Sequence, residues 1–203
     1  GRTRSDHAPR TEVVGGRPPG ATVPTLPTTL PTTMRAAVLD APGPPDALQI
    51  RTIPVPTPGP GQVLLRVHAF GLNRSELHTR LGLAGDAVSY PRVLGIEATG
   101  RVVAAPGNEH LVGQKAVAMM GGMGRSIDGG YAEYTCVPAS QVVTVQTELD
   151  WVRLGALPEI LQTAWGSMTV GMGVGEGDTI LVRGGTSSVG MMTTVLAKRR
   201  GMT

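Results

Sequence analysis

Cysteine is almost absent from this chain: Cys136 stands alone among 203 residues. A single thiol excludes an internal disulfide framework and a cysteine-rich zinc site, and it fits a reducing compartment, which places the expected location in the cytoplasm. Long apolar runs are also missing. No stretch reaches the roughly 18 residues that a membrane-spanning helix needs. Charge of one sign is scarce as well, with a formal net charge of only +3. Most of that surplus lies in the first 33 residues, where Arg2, Arg4, Arg10 and Arg17 face only Asp6 and Glu12. The other basic cluster, Lys198-Arg199-Arg200, suits the negative end of a helix, so a nucleic-acid partner is not expected despite the high isoelectric point.

Residues 1–33 are rich in Pro, Thr and Arg and carry no apolar period. Such a segment buries too little surface to offset its ordering entropy and reads as a disordered tail. From Met34 the texture is β. Short runs at Arg35–Leu39 and Leu48–Arg51 are separated by Ala41-Pro42-Gly43-Pro44-Pro45. Gln62–Ala69 alternates, with Val63, Leu65, Val67 and Ala69 on one face and Leu64, Arg66 and a solvated His68 on the other. Further strands are expected from Gly95, over Val112–Val117 and over Gly129–Val137, with a helical turn from Asn73 or Ser75 to Arg80. Many short strands with Gly/Pro turns indicate a β-barrel over 34–150. Cys136 shares a face with Ala132 and Tyr134 and reads as a buried, inert thiol.

After Asp150 the pattern turns helical. Asp150 is placed to cap a helix from Trp151, and Pro158 to open a second carrying Ile160, Leu161, Ala164, Trp165 and Met168 at helical spacing. Then comes a turn, a short aliphatic run Thr179–Arg183 read as a buried strand, the loop Gly184-Gly185-Thr186-Ser187-Ser188-Val189-Gly190, and a helix of about three turns closing at Gly201. A strand feeding a glycine-rich turn and a helix N-terminus gathers free N–H groups where a phosphate can sit. Against the dinucleotide fingerprint the loop reads Gly185-x-Ser187-x-x-Gly190, with Ser at the middle glycine, whose hydroxyl could itself bond phosphate. By itself the loop fits dinucleotide binding and an ordinary strand–helix turn alike.

Several motifs in order carry a resemblance. Met34-Arg35-Ala36-Ala37-Val38, Pro58–Leu64, Gly71-Leu72-Asn73-Arg74-Ser75, Gly95-Ile96-Glu97, Gly129–Tyr134, and Leu157-Pro158-Glu159 with Thr163-Ala164-Trp165 resemble the medium-chain dehydrogenase/reductase superfamily, in its zinc-independent quinone oxidoreductase branch. The resemblance spans Met34 to Gly201. It implies a mixed α/β fold in which a GroES-like β-barrel (34–150) precedes hinge helices and the first β–α unit of a Rossmann domain (151–203). It further implies NADPH, with NADH not excluded, in the cleft between them, a homodimer at full length, and reduction of a quinone or other activated enone.

The same resemblance assigns residues. Asn73 and Thr163 lie near the nicotinamide end of the cofactor, and Gly184, Gly185, Ser187, Ser188, Val189 and Gly190 at the pyrophosphate. Asn73 also has a plain reading as a helix cap. His78 stands where relatives often carry Tyr, which allows proton donation or substrate gating beside a plain reading as a surface histidine; Arg80 faces an anionic cofactor or solvent. Zinc-dependent relatives carry Cys where Asn73 stands and His where Ile96 stands, and Glu97 with His68, His78 or His110 makes no replacement, so no catalytic metal is expected. Without a Lewis acid the acceptor must already be polarised. The family's Rossmann domain continues well beyond 203 residues, and the position that reads the ribose would fall past Thr203, so the chain reads as an N-terminal fragment, inactive alone. A non-catalytic GroES-like module and an enoyl reductase module of a lipid or polyketide synthase are the alternatives. Metal analysis of the dialysed protein is expected to find far less than one zinc per chain; a stoichiometric metal would refute this reading of Asn73 and Ile96.

Overall fold

The computed structural model describes residues 29–203. Residues 1–28, most of the proposed disordered tail, lie outside the described residues. The end of that segment is already part of the sheet: β1 begins at Thr33, and the Thr32 carbonyl accepts from the Val55 N–H.

Eight strands and four α-helices follow in order. β1 (Thr33–Leu39), β2 (Leu48–Pro54) and β3 (Gln62–Ala69) precede α1 (Arg74–Arg80). β4 (Arg92–Val93), β5 (Glu97–Ala104), β6 (Lys115–Met119), β7 (Tyr134–Pro138) and β8 (Val142–Thr144) complete the β region. α2 (Trp151–Gly155), α3 (Pro158–Gly166) and α4 (Ser188–Arg199) make up the remainder, with one π-helical turn at Ser167–Gly171 after α3.

Every strand pairing is antiparallel. One sheet has the order β2-β1-β4 and the other β7-β3-β5-β6-β8. The expected strand over Gly129–Val137 is shorter than its sequence suggests, because β7 begins only at Tyr134. The residues before it stitch the two sheets together instead. Ala37 N–H donates to the Tyr131 carbonyl, Glu133 N–H to Arg35, and Val67 N–H to Glu133, at 2.8, 3.1 and 2.9 Å. An isolated bridge pairs Ala36 with Ala132. This is how the β region curls into the expected barrel.

β3 shows why a two-residue alternation describes it only in part. Val63 and Leu65 join Ala98, Val102, Ala116 and Val137 in one core. Leu64, assigned to the polar face, is equally buried and packs with Met34, Val38, Val93 and Tyr134 in a second core. The strand's first half is thus buried on both faces, and only Arg66 and His68 keep the outward positions.

The helices dock on this sheet through local signals. Asp150 caps α2 by accepting from the Arg153 N–H at 2.8 Å. Trp151 stacks on His68 at 4.3 Å, with Lys115 Nζ 4.8 Å and the Arg101 guanidinium 5.8 Å from its ring centroid. Pro158 opens α3, whose Ala164 is fully buried. Beyond it, Met168, Ala197 and Met202 form a third, small core.

The buried strand expected at Thr179–Arg183 is not formed. Leu181 is 87% exposed. A strand exists only when a neighbour completes its ladder, and here the neighbour is a single residue. Ile180 N–H donates to the Thr203 carbonyl at 2.8 Å, and Thr203 N–H to Asp178 at 3.0 Å, the pair of bonds with which a parallel ladder begins. The segment is extended but lacks the rest of a sheet.

One packing constraint makes a direct test. Gly100 on β5 faces Val67 on β3, and a Cβ there would lie 2.0 Å from the Arg66 carbonyl oxygen. Neither strand yields without breaking the β3–β5 ladder. Gly100→Ala is expected to cost about 1–3 kcal/mol, the range for forcing atoms into a packed interior, read as a lower urea midpoint at unchanged m-value.

Candidate functional site

The chain segment that leaves β3 runs Phe70-Gly71-Leu72-Asn73 into α1. Asn73 is the N-cap residue of that helix, and Glu76 reaches back to accept from the Asn73 backbone N–H at 2.9 Å. The second Glu76 oxygen accepts from the Ile96 N–H, also at 2.9 Å, tying α1 to the entry of β5. The plain reading of Asn73 as a cap is therefore correct, and its side chain also reaches the barrel. Its amide Nδ2 donates to Glu97 Oε1 at 2.8 Å.

Glu97 opens β5 and is only 3% exposed. Its other oxygen accepts from the Glu159 N–H at 3.0 Å, at the first turn of α3. Glu159 Oε1 in turn accepts from the Thr163 hydroxyl at 2.7 Å. Asn73 and Thr163, 90 positions apart in the sequence, are thus joined by one line of hydrogen bonds through two glutamates. Gly71 makes room for it, since a Cβ there would lie 2.1 Å from Glu97 Oε1.

Burial pushes the Glu97 carboxyl above the ordinary glutamate range, opposed by the Asn73 and Glu159 donors and reinforced by the charges of Glu159 and Glu76. Glu76 is also raised, again chiefly by burial, against the N–H bonds it accepts. Tyr131, ring to ring with Phe70 at 4.6 Å, is raised by burial and then by the charges of Glu76 and Glu97, so its phenol stays protonated. Phe70, Leu72, Tyr131, Val67 and Ile50 line a groove of about 460 Å³ next to this cluster in the chain. Sequence reasoning missed Glu76, Glu159 and Tyr131 and dismissed Glu97. Glu76 had a signal, because Asn73-Arg74-Ser75-Glu76 has capping-box spacing. Glu97 had none, since its partners come from distant segments.

The remaining assigned residues divide. His78 is half-buried on α1, with no side-chain hydrogen bond among the described residues; its carbonyl accepts from Leu83. Arg80 is turned inward and donates to the Gly43 carbonyl. Among the described residues no three His, Cys, Asp or Glu side chains are grouped to hold a metal.

At the second location, α4 starts from the glycine loop. Gly190 is buried against it: a Cβ there would meet the Gly184 carbonyl oxygen at 2.3 Å and Gly185 Cα at 2.9 Å. The Ser187 hydroxyl, expected at the pyrophosphate, makes local bonds here. Its Oγ accepts from the Gly190 N–H at 3.1 Å and donates to the Gly184 carbonyl at 2.8 Å, so it caps the helix. Ser188 and Val189, the first two helical residues, have N–H groups with no acceptor inside the helix. Gly184 and Gly185 lie in the exposed turn before them, so these backbone amides face outward at the helix N-terminus. No hydrogen bond joins this loop to Asn73 or Thr163 among the described residues.

Residues 59–147 match the alcohol dehydrogenase GroES-like domain family. The chain is 30% identical over 174 residues to human quinone oxidoreductase, covering 83% of this chain and 51% of that protein. It is 28% identical over 155 residues to a zinc-type alcohol dehydrogenase-like protein of Schizosaccharomyces pombe, covering 76% and 46%. Among solved structures, a mycobacterial protein complexed with NADPH superposes with a TM-score of 0.73 at 28% identity, covering 83% of this chain and 50% of that one. Residues 59–147 are thus an alcohol dehydrogenase GroES-like domain, and over most of its length the chain is similar to medium-chain dehydrogenase/reductase proteins. The relatives it matches include quinone oxidoreductases and a zinc-type alcohol dehydrogenase-like protein, and the chain spans about half of their length.

The raised carboxyls carry a pH signature. A glutamate whose titration is higher in the folded state favours folding below its ordinary range, and that contribution is lost as pH rises through the folded value. Removing the titration with Glu97→Gln is expected to shift the stability difference in the variant's favour as pH climbs from about 4.5. Urea melts of both proteins across that window check it, and a difference independent of pH contradicts it.

Proposed function

We propose that this chain supplies the substrate-side domain and the pyrophosphate loop of an NAD(P)H-dependent reductase that transfers hydride to a quinone or another activated enone without a metal. The observation that carries the reading is the start of α4. Its loop can close only because Gly190 lacks a Cβ, and it presents the unpaired amides of Ser188 and Val189 at the positive end of a twelve-residue helix.

The reading without a metal rests on what the two zinc positions of the metal-dependent relatives hold here. Asn73 commits its amide to Glu97, and Ile96 is a buried hydrocarbon whose N–H is taken by Glu76. A reduced nicotinamide supplies a hydride, two electrons and one hydrogen, to an electrophilic carbon or oxygen of the acceptor. Everything left to the protein is positioning, exclusion of water and delivery of a proton.

In this scheme Ser188 and Val189 hold the pyrophosphate by their amides, with Gly184, Gly185, Ser187 and Gly190 shaping the turn. Asn73 and Thr163 border the nicotinamide end. The apolar groove at Phe70, Leu72 and Tyr131 suits a flat, uncharged acceptor and lies beside Asn73 in the chain. His78 donates the proton that completes the two-electron reduction or gates the acceptor's entry. NADPH is the favoured cofactor by family, in a cytoplasmic homodimer.

Steady-state oxidation of NADPH and of NADH with a small quinone tests the reading, on this chain and on the chain joined to the second half of a family member. Turnover is expected in the joined protein, with Asn73→Ala lowering kcat/KM by roughly tenfold or more through lost orientation. Little is expected from the chain alone, where Thr179–Arg183 has no sheet around it. A folded joined protein that oxidises neither cofactor would favour a non-catalytic binding role.

A further inference from the structure

Glu97 joins the barrel to the starts of α1 and α3, and it does so with both carboxylate oxygens. One takes the side-chain amide of Asn73 at 2.8 Å and the other the first-turn N–H of Glu159 at 3.0 Å. Through Glu159 the line continues to the Thr163 hydroxyl at 2.7 Å. Each free acceptor has one donor, and each donor comes from a different element. The carboxylate has little solvent to turn to, being 3% exposed, and it occupies the space that a side chain at Gly71 would fill.

An Asn side chain on its own can rotate about two torsions, and its amide can flip. Fixing the Nδ2 group on Glu97, with the amide oxygen turned to the first turn of α1 in the capping box, sets the orientation of the whole side chain. Fixing the α3 N-terminus on the same carboxyl sets where Thr163, one helical turn later, stands relative to Asn73. A single buried group therefore couples the orientation of two side chains contributed by two parts of the fold. Nothing in the local sequence of either one requires this.

We infer that Glu97 is a positioning residue that holds Asn73 and Thr163 in register as the two sides of the nicotinamide subsite. The inference deepens the proposed function and rests on it. Glu97 does not touch the cofactor; it acts through Asn73 and, by way of Glu159, through Thr163. A neutral glutamine at 97 keeps the size but offers one acceptor where two donors arrive, so one side of the subsite is released. The pyrophosphate end, which involves only the α4 loop, is left as it was.

The experiment uses the two ends of one ligand as each other's control. NADPH is titrated into the isotopically labelled chain joined to the second half of a family member, while NMR follows the amides of Ser188 and Val189, the side-chain amide of Asn73 and the amide of Thr163. In the wild type, signals at both ends are expected to shift. In Glu97→Gln, the Ser188 and Val189 shifts are expected to persist, the Asn73 and Thr163 shifts to fall at least about fivefold, and exchange of the Glu159 N–H to quicken at least about tenfold. Gly71→Ala supplies an independent route, since its Cβ would displace the carboxylate without removing it. It is expected to give the same one-sided loss, and it decides the matter if Glu97→Gln fails to fold. Equal Asn73 and Thr163 shifts in the wild type and a folded variant overturn the role of Glu97 alone. Loss at both ends together also overturns it, as a general structural effect. A folded joined protein in which NADPH moves none of these signals overturns the reductase reading and this inference with it.

Discussion

A carboxylate removed from water must be met by donors, and this chain buries two of them at the seam between its sheet and its helices. Glu76 and Glu97 between them accept from the Asn73 backbone, the Asn73 side chain, Ile96 and Glu159. Those donors sit at the starts of α1, β5 and α3. None of the three elements can shift without leaving a buried oxygen unpaired, at a cost of about 1–3 kcal/mol or more for a charged group. The seam is where the residues assigned to the nicotinamide end are found.

The apolar framework prepares that seam. β3 is buried on both faces through Val63, Leu64 and Leu65, so it belongs to two cores at once and fixes the curl of the sheet between them. The stretch Tyr131–Glu133 then closes the two sheets over it with main-chain bonds. α2 is held to the outer surface by a different kind of contact, the stack of Trp151 on His68 under the charges of Lys115 and Arg101. Burial lowers the proton affinity of His68, with the charges of Arg66 and Arg101 acting in the same direction, which favours the neutral ring in that stack. By fixing α2, this contact also fixes the direction from which α3 approaches Glu97.

The glycine loop illustrates the reverse arrangement, a site organised within itself while its surroundings are open. Ser187 satisfies its own hydroxyl, Gly190 allows the turn to close, and the helix behind them runs twelve residues. All of this is local. The extended residues in front of it bond along their backbone to Thr203 alone among the described residues, and Leu181 stands in solvent.

The residues that were legible in the sequence are those whose chemistry is settled within a few positions. Asp150 caps α2, Pro158 opens α3, Asn73 begins α1, and Gly190 closes a turn against Gly184. The motif order that ties the chain to the medium-chain dehydrogenases is built from such local requirements too, which is why the barrel and its family are legible in the residues themselves. Tertiary structure alone decided the rest. Leu64 alternates as an outward residue and is buried because β1 and β4 bring a second core to it. Thr179–Arg183 has the composition of a strand and is none, because a ladder needs a partner strand that these bonds do not supply. Glu97 looked like an isolated carboxylate, and its role depends on an N–H that lies 62 positions further along the chain. Caps and turns are closed by neighbours in sequence, whereas burial and the pairing of a buried charge depend on which distant segments the fold brings to the same place.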